Sequence, residues 1–302
     1  VQPFIIALYQ NAFFLIEKRR LNTLSVINMD IIINGASLNM PTDSRALISQ
    51  RQALLNLLVC LGYQEPPLAA LLSNFHQLKG KWLVATPIYW QATHNDAMIV
   101  AVGPELKLTA HLSQKWFQVL ASFLSDIGIK MHYHDAETWL VCIEDKPNIT
   151  SLSPYTLQHH SLMPIFATMD DTHYWQGVLT EIQMLLSNHS LNKDGSLIPI
   201  NGIWLFGAGY LSATNKPFVT NNQLLLDAFP TTAQRLTLDY SPKQETIVFI
   251  DKIEDIDLNR LHDWQTQLTI RWFWNDMAYC TVRKNLLYRL WRHLCLSNNE
   301  NV

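Results

Sequence analysis

At 302 residues the chain is long enough for one large or two smaller domains, and 48% hydrophobic residues with ten tryptophans supply ample material for a packed core. A formal net charge of −3, from 22 basic and 25 acidic residues, excludes the strong positive field of a phosphate-tracking nucleic-acid binder. The four cysteines, Cys60, Cys142, Cys280 and Cys295, lie far apart in mainly apolar surroundings with no CxxC pair, the pattern of reduced, buried thiols in a cytoplasmic protein.

Residues 1–16 are rich in apolar side chains, but Lys18, Arg19 and Arg20 follow the run instead of preceding it. A secretory signal has the opposite order, and a spanning helix needs about 20 apolar residues, so a first core strand or helix is expected here. Residues 46–61 carry Leu47, Leu54, Leu55, Leu58 and Leu61 at helical spacing and stop at Gly62, and Pro66-Pro67 opens a second short helix to about Leu78. Strands over 82–90 and 97–102 flank His94-Asn95-Asp96. A helix over about 109–126 ends near Gly128, and 129–134 with 138–143 forms a second hairpin. Strand pair, helix, strand pair makes a compact α+β unit over residues 80–145. Pro147, Pro154 and Pro164 then mark a loop.

Trp175, Val178, Leu179, Ile182, Leu185 and Leu186 recur at three- and four-residue steps, one apolar face of a helix that Asp170 or Asp171 is placed to cap. A polar turn with Asn188, His189, Asn192, Asp194 and Gly195 follows, then a strand over 198–206 that stops at Gly207-Ala208-Gly209. A strand over 246–250 leads into Asp251, Glu254, Asp255 and Asp257. Residues 277–299 contain no acidic side chain, and Arg283, Lys284, Arg289 and Arg292 alternate there with Leu286, Leu287, Leu290, Trp291 and Leu294. This reads as a basic amphipathic helix packed on its own core, with its charged face a secondary candidate for partner contact.

The order His189, Asn192, Pro199, Asn201, apolar strand and Gly207-Ala208-Gly209 resembles a segment of archaeal-type cofactor-independent phosphoglycerate mutases, members of the alkaline-phosphatase superfamily. It resembles still more closely the bacterial RpfE-type regulatory protein family. Residues 82–91 and the helix over 171–187 share the likeness, which covers roughly residues 40 to 210. The resemblance implies an α/β fold with a degenerate alkaline-phosphatase-like core over 1–79 and 146–302 and an inserted ββαββ α+β subdomain over 80–145. In working mutases of this superfamily an N-terminal strand ends in Asp-Gly, a serine follows as phosphoryl acceptor, and a late Asp/His set completes a two-metal site. Here the apolar run over 4–9 is followed by Gln10 and Asn11, Asp30, Gly35 and Ser37 are too loosely spaced to restore the motif, and the expected late histidines are missing apart from His262-Asp263. Two metals about 4 Å apart need carboxylate and imidazole ligands. The resemblance with these departures implies a regulatory or ligand-binding protein without catalytic residues, metal or cofactor. The alternative is a metal-dependent phosphotransfer enzyme acting on a small phosphorylated acid.

The candidate ligand-binding residues are His189, Asn192, Asn201, Gly207 and Gly209. Their side chains either satisfy backbone groups of a buried turn or line a ligand pocket, and the glycines serve either turn geometry or close approach of an anion to backbone amides. No GxGxxG, P-loop, GxSxG or HExxH pattern is present. His132 and His134 share one strand face with Asp135 nearby, but spacing fixes no third ligand and the reading is a solvated face. His159-His160 and Asp170-Asp171-x-His173 read as local caps and surface contacts. The expected partner is a small ligand or a protein, with no nucleic acid and no membrane span.

Overall fold

A computed structural model describes residues 29–281 apart from 38, 194–197, 238–239, 243–244, 258–260, 262–263 and 266–267. The expected element over 1–16, Gln10, Asn11, Asp194, Gly195, His262-Asp263, Cys295 and the basic stretch past Thr281 lie outside the described residues. The chain is mixed α/β with two sheets, and its described residues divide into a central unit, within 61–214, and a split unit, within 29–60 and 215–281.

In chain order the split unit begins with β1 (Met29–Ile33), β2 (Ser44–Leu47) and helix α1 (Ala53–Leu61). The central unit follows with α2 (Leu68–Phe75), β3 (Trp82–Ala92), β4 (Ala97–Val102), α3 (Ala110–Asp126), β5 (Met131–Tyr133) and β6 (Trp139–Cys142). It continues through two single-turn helices, α4 (Pro154–Leu157) and α5 (Met163–Phe166), then α6 (Tyr174–Ser187) and β7 (Gly202–Phe206). The chain returns to the split unit with β8 (Phe218–Thr220), α7 (Gln223–Ala228), β9 (Ala233–Arg235), β10 (Thr246–Ile250), β11 (Ile270–Phe273) and β12 (Ala278–Thr281).

The split unit carries a seven-stranded sheet in the order β2-β12-β11-β1-β10-β8-β9. The five strands from β11 to β9 are parallel, and β12 and β2 add an antiparallel edge. Every residue of β1 and of β10 is buried, as expected of central strands in a parallel sheet covered on both faces. Asp30 sits inside β1 opposite Arg271 of β11, 6% exposed, and the guanidinium grips both its oxygens at 2.5 and 2.6 Å. It is therefore a paired core charge and not a ligand at a strand end.

Two sequence expectations change here. Ala46 and Leu47 are strand residues paired with Tyr279 and Ala278, so the helix begins at Ala53, where the Asn275 side chain accepts the Ala53 N–H at 2.7 Å. Residues 278–281 form β12 instead of opening a helix, because their backbone groups are taken up between β11 and β2.

In the central unit, β3 pairs antiparallel with β4, β6 and β7, and β5 extends the sheet beside β6. Trp116, Trp139, Trp175 and Trp204 are fully buried, and the last three donate their indole N–H to Ser113 Oγ, the Pro147 carbonyl and the Leu152 carbonyl. Satisfied donors let large rings fill a core without a polar penalty. The ββαββ segment is present, but β7 joins the same sheet. The compact unit thus spans 61–214, wider than the 80–145 read from sequence. Among the described residues, no helix is long and apolar enough to cross a membrane.

Candidate functional site

The five candidate residues of the central unit lie around α6 and β7. His189 precedes a single 3-10 turn, accepts the Leu191 N–H on Nδ1 at 3.2 Å, and sets its ring 5.1 Å from that of Trp116. Asn192 donates to the Leu186 and Ile200 carbonyls at 2.9 and 2.8 Å and accepts the Ile200 N–H at 2.9 Å. Asn201 accepts the Trp90 N–H at 2.9 Å and donates to the Trp90 carbonyl at 2.7 Å, continuing the β7 pairing on β3 by one more rung. Gly207 has φ +75° and its carbonyl accepts the Ala69 N–H at 3.0 Å, while Gly209 has φ +134° against Pro67. A shallow depression beside Asn192 is lined mainly by apolar side chains such as Leu106, Leu112, Trp116 and Pro199. The asparagine amides are thus spent on backbone groups, which is the turn-satisfying alternative of the two sequence readings.

A different set of polar groups converges at the carboxyl ends of the parallel strands in the split unit. Asn275 follows β11, Asn34 follows β1, Asp251 follows β10, and Asn222 lies just past β8, in the same order as the strands in the sheet. Asn275 Nδ2 donates to Asn34 Oδ1 at 3.3 Å, and Asn34 Nδ2 donates to Asp251 Oδ1 at 3.4 Å. Asn222 Nδ2 reaches both Asp251 oxygens at 3.0 and 3.1 Å. These contacts form one polar rail across four strand ends. Its two outer members also cap helices, Asn275 at Ala53 of α1 and Asn222 at Leu225 of α7. Nearby, the Ser37 N–H donates to Asp276 Oδ1 at 2.9 Å. Ligands of open α/β sheets bind outside the carboxyl ends of strands where successive connections run in opposite directions. In this sheet β8 leads outward to β9, whereas β10 leads back across β1 to β11, so that point lies where Asn222 meets Asp251.

Chemically the rail is three neutral carboxamides around one carboxylate. Carboxamides donate and accept hydrogen bonds but do not titrate, so they fix a ligand's orientation without moving a proton. Sequence reading reached Asp251 but passed over Asn34, Asn222 and Asn275. The available signal was an asparagine directly after an apolar strand, as in Ile31-Ile32-Ile33-Asn34.

Three imidazoles meet at a second place, in the central unit. His76, at the C-terminal end of α2, brings Nε2 to 2.8 Å from Nδ1 of His134, and its ring lies 4.4 Å from that of His132. Burial and the two neighbouring imidazoles lower the pKa of His76; burial also lowers that of His134, with His132 adding to the effect and Asp135 opposing it. As they stand, no group of three or more His, Cys, Asp or Glu among the described residues is arranged to hold a metal ion. The other histidine sets have local contacts: His160 Nδ1 lies 2.9 Å from the Gln158 carbonyl, and Asp170 receives the N–H groups of Thr172, Tyr174 and Trp175 at the start of α6. Cys60, Cys142 and Cys280 are free thiols, and burial, reinforced by Asp30, pushes the Cys60 thiol well above its usual pKa.

Comparisons with protein-family models, with curated proteins and with solved structures give no match.

Proposed function

We propose that this chain is a non-catalytic ligand-binding or regulatory protein, built on a degenerate alkaline-phosphatase-like core in which amides stand where a two-metal site would need anionic ligands. The observation that carries the reading is the end of β1. The superfamily resemblance implies an Asp-Gly pair after an N-terminal strand, with a serine following; after β1 the chain reads Asn34-Gly35-Ala36-Ser37. An asparagine keeps the shape and hydrogen-bonding reach of an aspartate but brings no negative charge to a cation. Along the rail Asp251 is the single carboxylate, and both its oxygens already accept from Asn222. A lone carboxylate among amides suits a small polar ligand held by directional hydrogen bonds better than a pair of divalent ions.

The test is calorimetric titration of the purified protein with a panel of small hydroxylated and phosphorylated acids, beside an assay of 3-phosphoglycerate turnover over a range of manganese concentrations. Saturable binding that is lost in Asp251→Ala and Asn34→Ala, with no turnover at any metal concentration, is the expected result. Mutase turnover that survives purification and vanishes in Asp251→Ala would overturn the reading in favour of a metal-dependent phosphotransfer enzyme.

A further inference from the structure

We infer that His76, His132 and His134 form a transition-metal site of the zinc, copper or nickel class, distinct from the polar rail and drawn together by the metal itself. Two elements far apart in sequence supply the donors: His76 from the end of α2, and the His132-x-His134 pair from β5 and the residue after it. A His-x-His pair on a strand puts both rings on one face, and the fold brings the third ring that sequence spacing could not fix.

In the unliganded arrangement two of the three donors already face one another, and the set must still rearrange to hold an ion. Nε2 of His76 and Nδ1 of His134 face one another at 2.8 Å, sharing one proton between two ring nitrogens. A tetrahedral ion with metal–nitrogen bonds of about 2.0–2.1 Å sets its ligand nitrogens about 3.3 Å apart, so this pair must part by roughly 0.5 Å and give up the shared proton. His132, whose ring centre lies 4.4 Å from that of His76, must turn on its side-chain torsions to aim a nitrogen at the ion. The far nitrogen of His134, Nε2, lies 3.6 Å from the Asp135 carboxylate. A carboxylate behind a ligating histidine is the usual device for orienting the ring and raising its basicity. Phe75 sets its edge against both His76 and His134 and gives the cluster an apolar wall. Three nitrogen donors leave a fourth position for water or an exogenous ligand, and imidazole ligands favour zinc, copper and nickel over magnesium or calcium.

The experiment titrates the full chain, stripped with chelator, with zinc by calorimetry and with cobalt by visible absorption at pH 7.5. One equivalent bound, with the intense absorption of low-symmetry cobalt, is expected in the wild type and in Asp251→Ala. His76→Gln and His132→Gln, each checked for an unchanged circular dichroism spectrum, should weaken binding more than roughly 100-fold, beyond the loss typical of an outer-shell partner. No stoichiometric uptake by the wild type, or uptake that both histidine variants retain, overturns the inference. Uptake lost only in Asp251→Ala would place the metal on the rail and overturn this inference and the amide-site reading together.

Discussion

Asn192 and Asn201 use a side-chain carboxamide as a stand-in for a peptide group, each presenting one donor and one acceptor to the backbone it clips. Asn201→Ala strips the Trp90 N–H and carbonyl of these partners, and a buried backbone group left unpaired costs about 1–3 kcal/mol. We expect a lower urea midpoint for this variant, with ligand titrations of the polar rail unchanged; altered ligand affinity at unchanged stability would restore Asn201 to a binding role. The histidine cluster contributes to the acid limb of stability. His76 and His134 have depressed pKa values when folded, so below about pH 6.5, where unfolded histidines begin to protonate, the unfolded chain takes up protons that the folded chain refuses. Stability is therefore undiminished by these groups above that pH and falls as pH drops below it. Urea melts in chelator at pH 7.5 and 5.5 should show that fall, and His76→Gln should make it shallower. At this scale the sequence revealed what depends on near neighbours. The cap at Asp170 was legible because its partners are two to five residues away, and its carboxyl, raised by burial, is brought below its usual range by hydrogen bonds from the Thr172 hydroxyl and the N–H groups of Trp175, Thr172 and Tyr174. Asn34 and Asn222 were not legible, because both meet Asp251, and do so only after distant strands align.

The glycine turn after β7 is where an element's end is fixed by backbone shape. Gly209 has φ +134°, which side chains with a Cβ rarely adopt, and an added Cβ would stand 3.1 Å from Pro67 Cβ. Gly209→Val should therefore lower stability by about 1–3 kcal/mol, the cost of holding a branched residue in such backbone. A thermal melt indistinguishable from wild type would show that the turn relaxes instead. Helices α3 and α6 were readable because their apolar residues repeat along a single contiguous stretch, and Thr109 and Asp170 mark their starts. Strand β1 escaped, since five successive buried residues carry no alternation to distinguish a central parallel strand from any short apolar run. The β7–β3 pairing was equally hidden: its partners lie more than a hundred residues apart, and nothing in either strand names the other.

Each unit has its own sheet, and the central one also has its own tryptophan core, so the segment 61–214 produced alone should fold and melt cooperatively with intact near-ultraviolet tryptophan dichroism. A molten fragment would show that the central unit depends on the rest of the chain. The limits of the two units were hidden from the sequence, because they depend on which strands pair across long separations. The limits themselves are fastened. Thr214 Oγ1 reaches the Leu61 carbonyl at 3.4 Å and the Tyr63 hydroxyl donates to the Ser212 carbonyl at 2.6 Å, while in the split unit Lys216 Nζ donates to the Cys60 carbonyl at 2.8 Å. This clasp has a kinetic meaning. β1 must find β10 across a loop of roughly 200 residues, but a central unit already folded with its ends together shortens the effective tether by roughly 150, which lowers the entropic cost of closure by about 1 kcal/mol. The order of folding is thereby written into the chain's connectivity: in pulsed hydrogen exchange during refolding, the amides of β3, β6 and β7 should gain protection before those of β1 and β10.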